Sequence, residues 1–332
     1  MLALWDTTGA EVVRKLAAER HSAGGVASGL ALTLVVVVDE ARVRGVEDAA
    51  TIAAASHPCR LIIVSRALKN PHQTGTDVVD RLDAEIIVGG RLGPCEAVAL
   101  RMHGPLAYHA ESVVMPLLAP DVPVVTWWHG NPPDRIADDP LGVVAERRIT
   151  DVSQAENPLA ALRQRAEDYA PGDTDLAWTR ITPWRTLLAG ALDTSTAPVT
   201  AATVVGRLED PRVSLLAGWL ASRLGLTPTL EASSTGKLEQ VRLRVGDDDL
   251  TLTRSNGTCL LTRTGVGDRT LPLVTRRLGD ELAEELRRLD ADQPYAAALS
   301  AATGVTGLSD RAAVRGLSQK AERRQATVKV PA

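Results

Sequence analysis

An α/β domain followed by a smaller α+β domain is the fold that this sequence predicts, and three features carry the reading. The β-branched run Leu30–Val38 has the continuous apolar character of a strand covered on both faces. Apolar strands and helical stretches then alternate to about residue 150, the pattern of an α/β sheet that is at least partly parallel. Beyond about residue 240 come short alternating strands joined by turn signals, which suit an antiparallel sheet. A chain of 332 residues exceeds a typical single domain, so the expected division is 1–150, 151–304 and a tail over 305–332.

Each element has its own local signal. Val46–Ser56 reads as an Ala-rich helix ended by His57-Pro58, because proline disfavours helical backbone in the residue before it. Leu61–Ser65 and Glu85–Val88 read as strands, followed by the apolar stretch Ala97–Met102. The spacing there leaves room for an antiparallel pair inside the sheet. A helix is expected over about Leu106–Leu118, with Ala110, Val113, Val114, Leu117 and Leu118 in one stripe, and then a strand over Val122–Trp128. From Asp151 to Asp193 the pattern is helical. The clearest helix spans Pro211–Leu224, with Asp210 as N-cap, Pro211 at the first helical position and Gly225 as C-cap. Val241–Val245, Leu250–Arg254 and Thr258–Thr264 alternate as half-buried strands, the last two joined by the hairpin signal Asn256-Gly257. A helix over about Arg277–Leu289 follows. The tail, basic and free of aromatics, reads as mostly disordered.

Composition sets bounds on function. The apolar share of 45% allows a real core, which must be aliphatic because Phe is absent and aromatics make up 3%. A net charge of −4 argues against general affinity for nucleic acid phosphates. Leu30–Val38 is far too short to span a bilayer, and Met1–Ala10 lacks a signal peptide's basic and apolar regions, so a cytoplasmic protein without membrane contact is expected. Cys59, Cys95 and Cys259 are unpaired in spacing and read as small buried hydrophobes, with a Cys59–Cys95 redox switch the lesser alternative.

Catalytic signatures do not emerge. Gly24, Gly25 and Gly29 precede the first strand of the α/β region instead of following it, and no phosphate-binding GxxxxGK[ST] loop exists. Gly89-Gly90-Arg91-Leu92-Gly93 follows a strand but runs into Pro94, as a turn would. The six histidines lack metal-ligand spacing, and Asp247-Asp248-Asp249 lacks the glycine and distal glutamate of a calcium loop. No cofactor or metal is expected. His129 stands out because it follows Trp127-Trp128 at a strand's end, where open α/β sheets gather ligands and functional loops. It reads equally as a hydrogen-bonded loop residue.

The tryptophans carry more. Trp178, Arg180, Trp184 and Arg185 interleave indoles with guanidinium groups, the residue types enriched at binding hot spots. Two readings stand: rings that plug the junction between domains, or a surface for a protein partner. Trp127, Trp128 and His129 join these four as candidate partner-binding residues. Trp219, on a helix four residues after Leu215, reads as core.

Several segments in order resemble the OpcA family, the actinobacterial glucose-6-phosphate dehydrogenase assembly proteins. They are Ser56-His-Pro-Cys-Arg60, His109-Ala-Glu-Ser112, Pro123-Val-Val-Thr-Trp-Trp-His129, Arg147-Arg-Ile-Thr-Asp151, Asp175–Arg185 and Ser214–Leu220. The resemblance covers roughly residues 1 to 300. It implies a noncatalytic partner of glucose-6-phosphate dehydrogenase at the entry to the oxidative pentose phosphate pathway, with an amino-terminal α/β domain and a carboxyl-terminal domain that includes Trp178–Arg185. Cyanobacterial relatives are linked to redox control through cysteines, a role for which three scattered cysteines give little support. The competing expectation is a phosphosugar- or nucleotide-binding sensor or enzyme that uses the α/β domain.

Overall fold

The computed structural model describes residues 1–22, 29–39, 43–67, 80–89, 96–193 and 195–312. The chain opens with a short strand, β1 (Leu2–Leu4), and a helix, α1 (Gly9–Ser22), which no pattern above anticipated. The β-branched run becomes β2 (Leu32–Asp39), buried from Leu32 to Val38. Helix α2 (Val43–Ser56) leads to β3 (Cys59–Ala67), and β4 (Arg81–Val88) and β5 (Glu96–His103) follow. These strands pair in the order β1-β4-β5-β3-β2. β2–β3 and β3–β5 are parallel, while β4–β5 is the antiparallel pair for which the sequence left room.

The helix expected over Leu106–Leu118 is broken into pieces. A 3-10 turn (Gly104–Tyr108), the single turn α3 (Glu111–Val114) and a second 3-10 turn (Met115–Leu117) occupy its place. Pro116, with no N–H to donate, cannot continue an α-helix past its first turn. The stripe still works as packing: Ala110, Val113, Val114 and Leu117 are buried, and Leu118 packs at their margin. The chain then enters β6 (Val124–His129), crosses the single turn α4 (Pro140–Val143) and forms β7 (Arg147–Thr150), adding β6 and β7 in parallel beyond β2.

A second compact unit spans Asp151–Arg276 with Ala291–Ala312. It contains α5 (Pro158–Asp168), a short strand β8 (Asp173–Asp175), α6 (Leu176–Arg180) and α7 (Thr182–Leu192). Next come β9 (Val199–Gly206), α8 (Pro211–Leu224) and β10 (Thr229–Ala232). β11 (Gln240–Val245), β12 (Asp248–Ser255), β13 (Thr258–Arg263) and β14 (Val266–Pro272) complete a six-stranded sheet ordered β10-β9-β11-β12-β13-β14. The sheet is antiparallel except for the β9–β10 pair. At the hairpin between β12 and β13, Asn256 and Gly257 have φ of 41° and 83°, the left-handed pair that this tight turn demands. α8 starts and stops as its sequence dictates. The Asp210 side chain accepts from Arg212 N at 2.9 Å, and Gly225 closes the helix at φ 68°.

Helix α9 (Leu278–Glu285) returns to the first unit, which comprises Met1–Thr150 and Arg277–Asp290. It packs on α2 so closely that a methyl group on Gly279 would meet Ile52 Cβ at 2.7 Å. His57 Nε2 lies 3.0 Å from the carbonyl oxygen of Ala283. The chain ends its described course in the second unit with α10 (Gln293–Thr303) and a 3-10 turn (Leu308–Asp310) whose Leu308 is buried. Arg311 donates to the carbonyl oxygens of Glu167 and Tyr169 at 2.9 and 2.8 Å. Residues 305–312 are thus tied down; the remainder of the segment read as a tail lies outside the described residues, as do Cys95, Gly24, Gly25 and the stretch Gly90–Pro94.

Candidate partner-binding surface

In the first unit, Trp127 and Trp128 stand on opposite faces of β6 and are both buried. Trp128 joins the cluster of Val35, Val37 and Leu141, and it sits against Gly142, where an added methyl would strike the carbonyl oxygen of Ile136 at 1.7 Å. Trp127 meets His129 edge-on with ring centroids 5.2 Å apart, and its buried indole N–H has no acceptor among the described residues. His129 is half-buried at the end of β6. Beside it, Asn131 Nδ2 donates to Asp39 Oδ2 at 3.1 Å, joining the ends of β6 and β2 where the sheet order reverses.

The second unit uses its motif from the inside. Asp175 caps α6 by accepting from Ala177 N at 2.8 Å, and its other oxygen takes the N–H of Val152 at 2.9 Å. Trp178 is buried and donates Nε1–H to Asp292 Oδ2 at 2.8 Å. Asp292 also caps α10 through Tyr295 N, and the Tyr295 ring lies 5.7 Å from that of Trp178. Buried wholly among the carboxylates Asp175 and Asp173, the Tyr295 phenol is pushed well above its ordinary value by desolvation first and those charges second. It stays protonated throughout the physiological range.

Cations fringe these rings. Arg180 grips Asp151 with both terminal nitrogens at 2.7 and 2.8 Å, a fork on a buried carboxylate. The Arg185 guanidinium lies 3.5 Å from the Trp178 ring centroid, and Arg254 stands 5.7 Å over Trp184. Burial, with Arg212's charge second, lowers the pKa of Arg254. Trp184 is buried too, its N–H without a partner among the described residues. Of the seven sequence-derived candidates, therefore, four are rings inside the two cores, while His129, Arg180 and Arg185 are half-buried. Trp219 packs at the edge of the second core.

The sequence passed over the solvent-facing residues. Trp5 is 64% exposed, alone among the six tryptophans in that respect, and Tyr108 is 62% exposed. Nothing in the alternation around Leu2–Leu4 separates such a ring from a core one. Cys259 is buried on β13, where desolvation pushes its thiol up to about 11, so it is not poised as a thiolate. Among the described residues, no group of three or more His, Cys, Asp or Glu is arranged to hold a metal ion. No described helix is long and apolar enough to cross a membrane.

Two family models match in tandem. The one described as the N-terminal domain of the glucose-6-phosphate dehydrogenase subunit matches residues 50–167, and the one described as its C-terminal domain matches residues 171–299. The chain belongs to the OpcA family. The putative OxPP cycle protein OpcA of Synechococcus elongatus is 27% identical over 209 residues, which are 59% of this chain and 47% of that protein. Its namesake in Synechocystis is 26% identical over 199 residues, 56% of this chain and 41% of that protein. The chain thus spans about half the length of the curated OpcA relatives it matches. Among solved structures, an oxidoreductase from Sinorhizobium meliloti aligns over 90% of both chains with a TM-score of 0.41 and 10% identity. At those values the likeness bears on neither fold nor chemistry.

Proposed function

We propose that this chain binds glucose-6-phosphate dehydrogenase in the cytoplasm and promotes its assembly or activity at the entry to the oxidative pentose phosphate pathway, without catalysing a reaction itself. The observation that carries the reading is the tandem match of two family models named for that dehydrogenase. The local chemistry supports it. The charged motif residues Arg60, Arg147, Asp151 and Asp175 serve the chain's own folding: each holds a buried ion pair or backbone group. In the proposed contact set, His129 in the first unit and Arg180 and Arg185 in the second are half-buried, while each pair of tryptophans lies inside its own unit.

Activation by binding requires tighter association with the active assembly than with the inactive one, and a tenfold difference corresponds to about 1.4 kcal/mol. The test mixes the two purified proteins and follows NADPH formation and co-elution. A faster rate and a shared peak are expected; an unchanged rate and separate peaks over a wide concentration range would refute the reading. Arg185→Gln removes the cation while leaving the rings, so it should weaken the complex without altering the far-ultraviolet circular dichroism of the chain.

A second reading rests on the reversal of sheet order between β2 and β6, where open α/β sheets place their ligands. There the first unit would bind a phosphosugar or nucleotide near His129. A rise in thermal stability with sugar phosphates, NADP or ATP would favour it. No shift at millimolar ligand would remove it.

A further inference from the structure

The second unit carries an open cleft of about 470 Å³ between one face of α7 and the last strands of its sheet. Thr186, Leu187, Gly190 and Ala191 form the helical wall. Leu187 and Ala191 pack at the margin of the core that buries Trp184 and Leu188, whereas Thr186 and Gly190 turn away from it and are exposed. The floor follows from strand register. Leu250 stands opposite Arg263, and Leu261 opposite both Leu252 and Arg269, so these side chains share one face of the sheet. Burial fades along that face toward β14: Leu250 is buried, Leu261 and Leu271 are half-buried, and Arg269 and Gly267 are exposed.

Three observations say what covers it. The cations come first: Arg269 makes no ion pair among the described residues, and Arg263 reaches Asp248 only at 3.5 Å and Ser195 Oγ at 3.4 Å. An apolar floor rimmed by two loosely held guanidinium groups complements carboxylates flanking apolar side chains. Next, β14 is an outer strand of the sheet, exposed from Val266 to Thr270, so an extended segment laid along it gains main-chain hydrogen bonds. Lastly, a methyl group added at Gly190 or Gly267 would meet no atom within 4 Å, so the sequence leaves this space open. Residues 313–332 carry Arg315, Lys320, Arg323, Arg324 and Lys329 against Glu322. Like charge sets that segment against the cleft.

We infer that the α7–β14 cleft is a docking groove for an extended acidic–apolar segment of the dehydrogenase. The inference rests on the proposed function and adds the surface that meets the partner. The experiment measures binding of purified glucose-6-phosphate dehydrogenase to the full chain, to Gly190→Leu and to Arg263→Glu/Arg269→Glu. Gly190→Leu fills the groove while replacing a helical glycine with a better helix former, so its thermal stability should be unchanged or raised. Binding should fall tenfold or more in both variants, and binding by the unaltered chain should weaken with added salt. If the unaltered chain binds and Gly190→Leu binds equally well with its fold intact, the groove is not the contact and only this inference fails. If the unaltered chain does not bind, the proposed function fails and takes the groove with it. Conversion of a dimer of the chain to a monomer by Gly190→Leu would also overturn the inference, giving the groove to a second copy.

Discussion

The two units close their cores by different means. The first stacks aliphatic strands and keeps its buried charges as pairs: Arg60 with Glu96, and Arg147 with Glu285. The second gathers Trp178, Trp184, Tyr169 and Tyr295 into one cluster and satisfies the Trp178 N–H with Asp292. In a chain without phenylalanine, the first unit sets Trp127 and Trp128 on opposite faces of an otherwise aliphatic sheet, while the second packs its indole and phenol rings against one another. The difference teaches where single substitutions hurt most: at ion pairs that hold separate segments together in the first unit, and at rings in the second.

The largest effect is expected at Trp178→Ala. Losing a buried indole costs about 3–5 kcal/mol, and leaving Asp292 without its donor adds about 1–3 kcal/mol. Urea unfolding followed by circular dichroism checks it, and a loss below 1 kcal/mol would break the ring-centred account. Arg147→Ala comes next at about 3–5 kcal/mol, since it takes the paired guanidinium from a carboxylate, Glu285, that is 7% exposed. Arg147 also donates to the carbonyl oxygen of Asp290 at 2.9 Å, so hydrogen exchange should accelerate first over residues 278–290. Gly218→Ala should cost about 1–3 kcal/mol by overpacking, because the new methyl would meet the carbonyl oxygen of Ala298 at 2.2 Å where α8 crosses α10.

The smallest effect is set by pH. Desolvation raises the Asp83 pKa, but hydrogen bonds from Arg81 and from the backbone of Asp6, with the Arg81 charge, outweigh it and hold the carboxyl below its ordinary value. A lowered folded pKa contributes stability that is complete above the unfolded value of about 3.9 and is lost as pH falls through the folded one. Exchange of the Asp6 amide should therefore quicken only below about pH 4. Equal rates at pH 3 and pH 6, after correction for intrinsic chemistry, would discard this tie.

Much of the framework was legible because its signals are local. The β2 run, the caps of α8 and the Asn256-Gly257 turn each depend on residues within a few positions. The break at Pro116 was legible in principle and was overridden by the i, i+3, i+4 spacing of its neighbours, which bury as that spacing requires. Strand β9 and strand β14 were missed for opposite reasons: Val199–Gly206 mixes Thr and Ala into a weak alternation, and β14 is exposed along nearly its whole length. The tryptophan motif stands out in the sequence, but its chemistry there is the same whether the rings face a partner or a core. Only Asp292, more than a hundred positions from Trp178, decides that.

The return of α9 interleaves the two units along the chain, with Asp151–Arg276 of the second lying between segments of the first and Ala291–Ala312 following them. During synthesis the amino-terminal sheet must wait for residue 290 before its α2 flank receives its cover, and the second unit must wait longer still for α10. A fragment cut at Thr150 would leave bare the Ala49–Ile52 seat of Gly279, a greasy ledge that invites aggregation. Expression of the halves as separate pieces is therefore better served by grafting the 277–290 helix onto the first piece than by clipping at the junction.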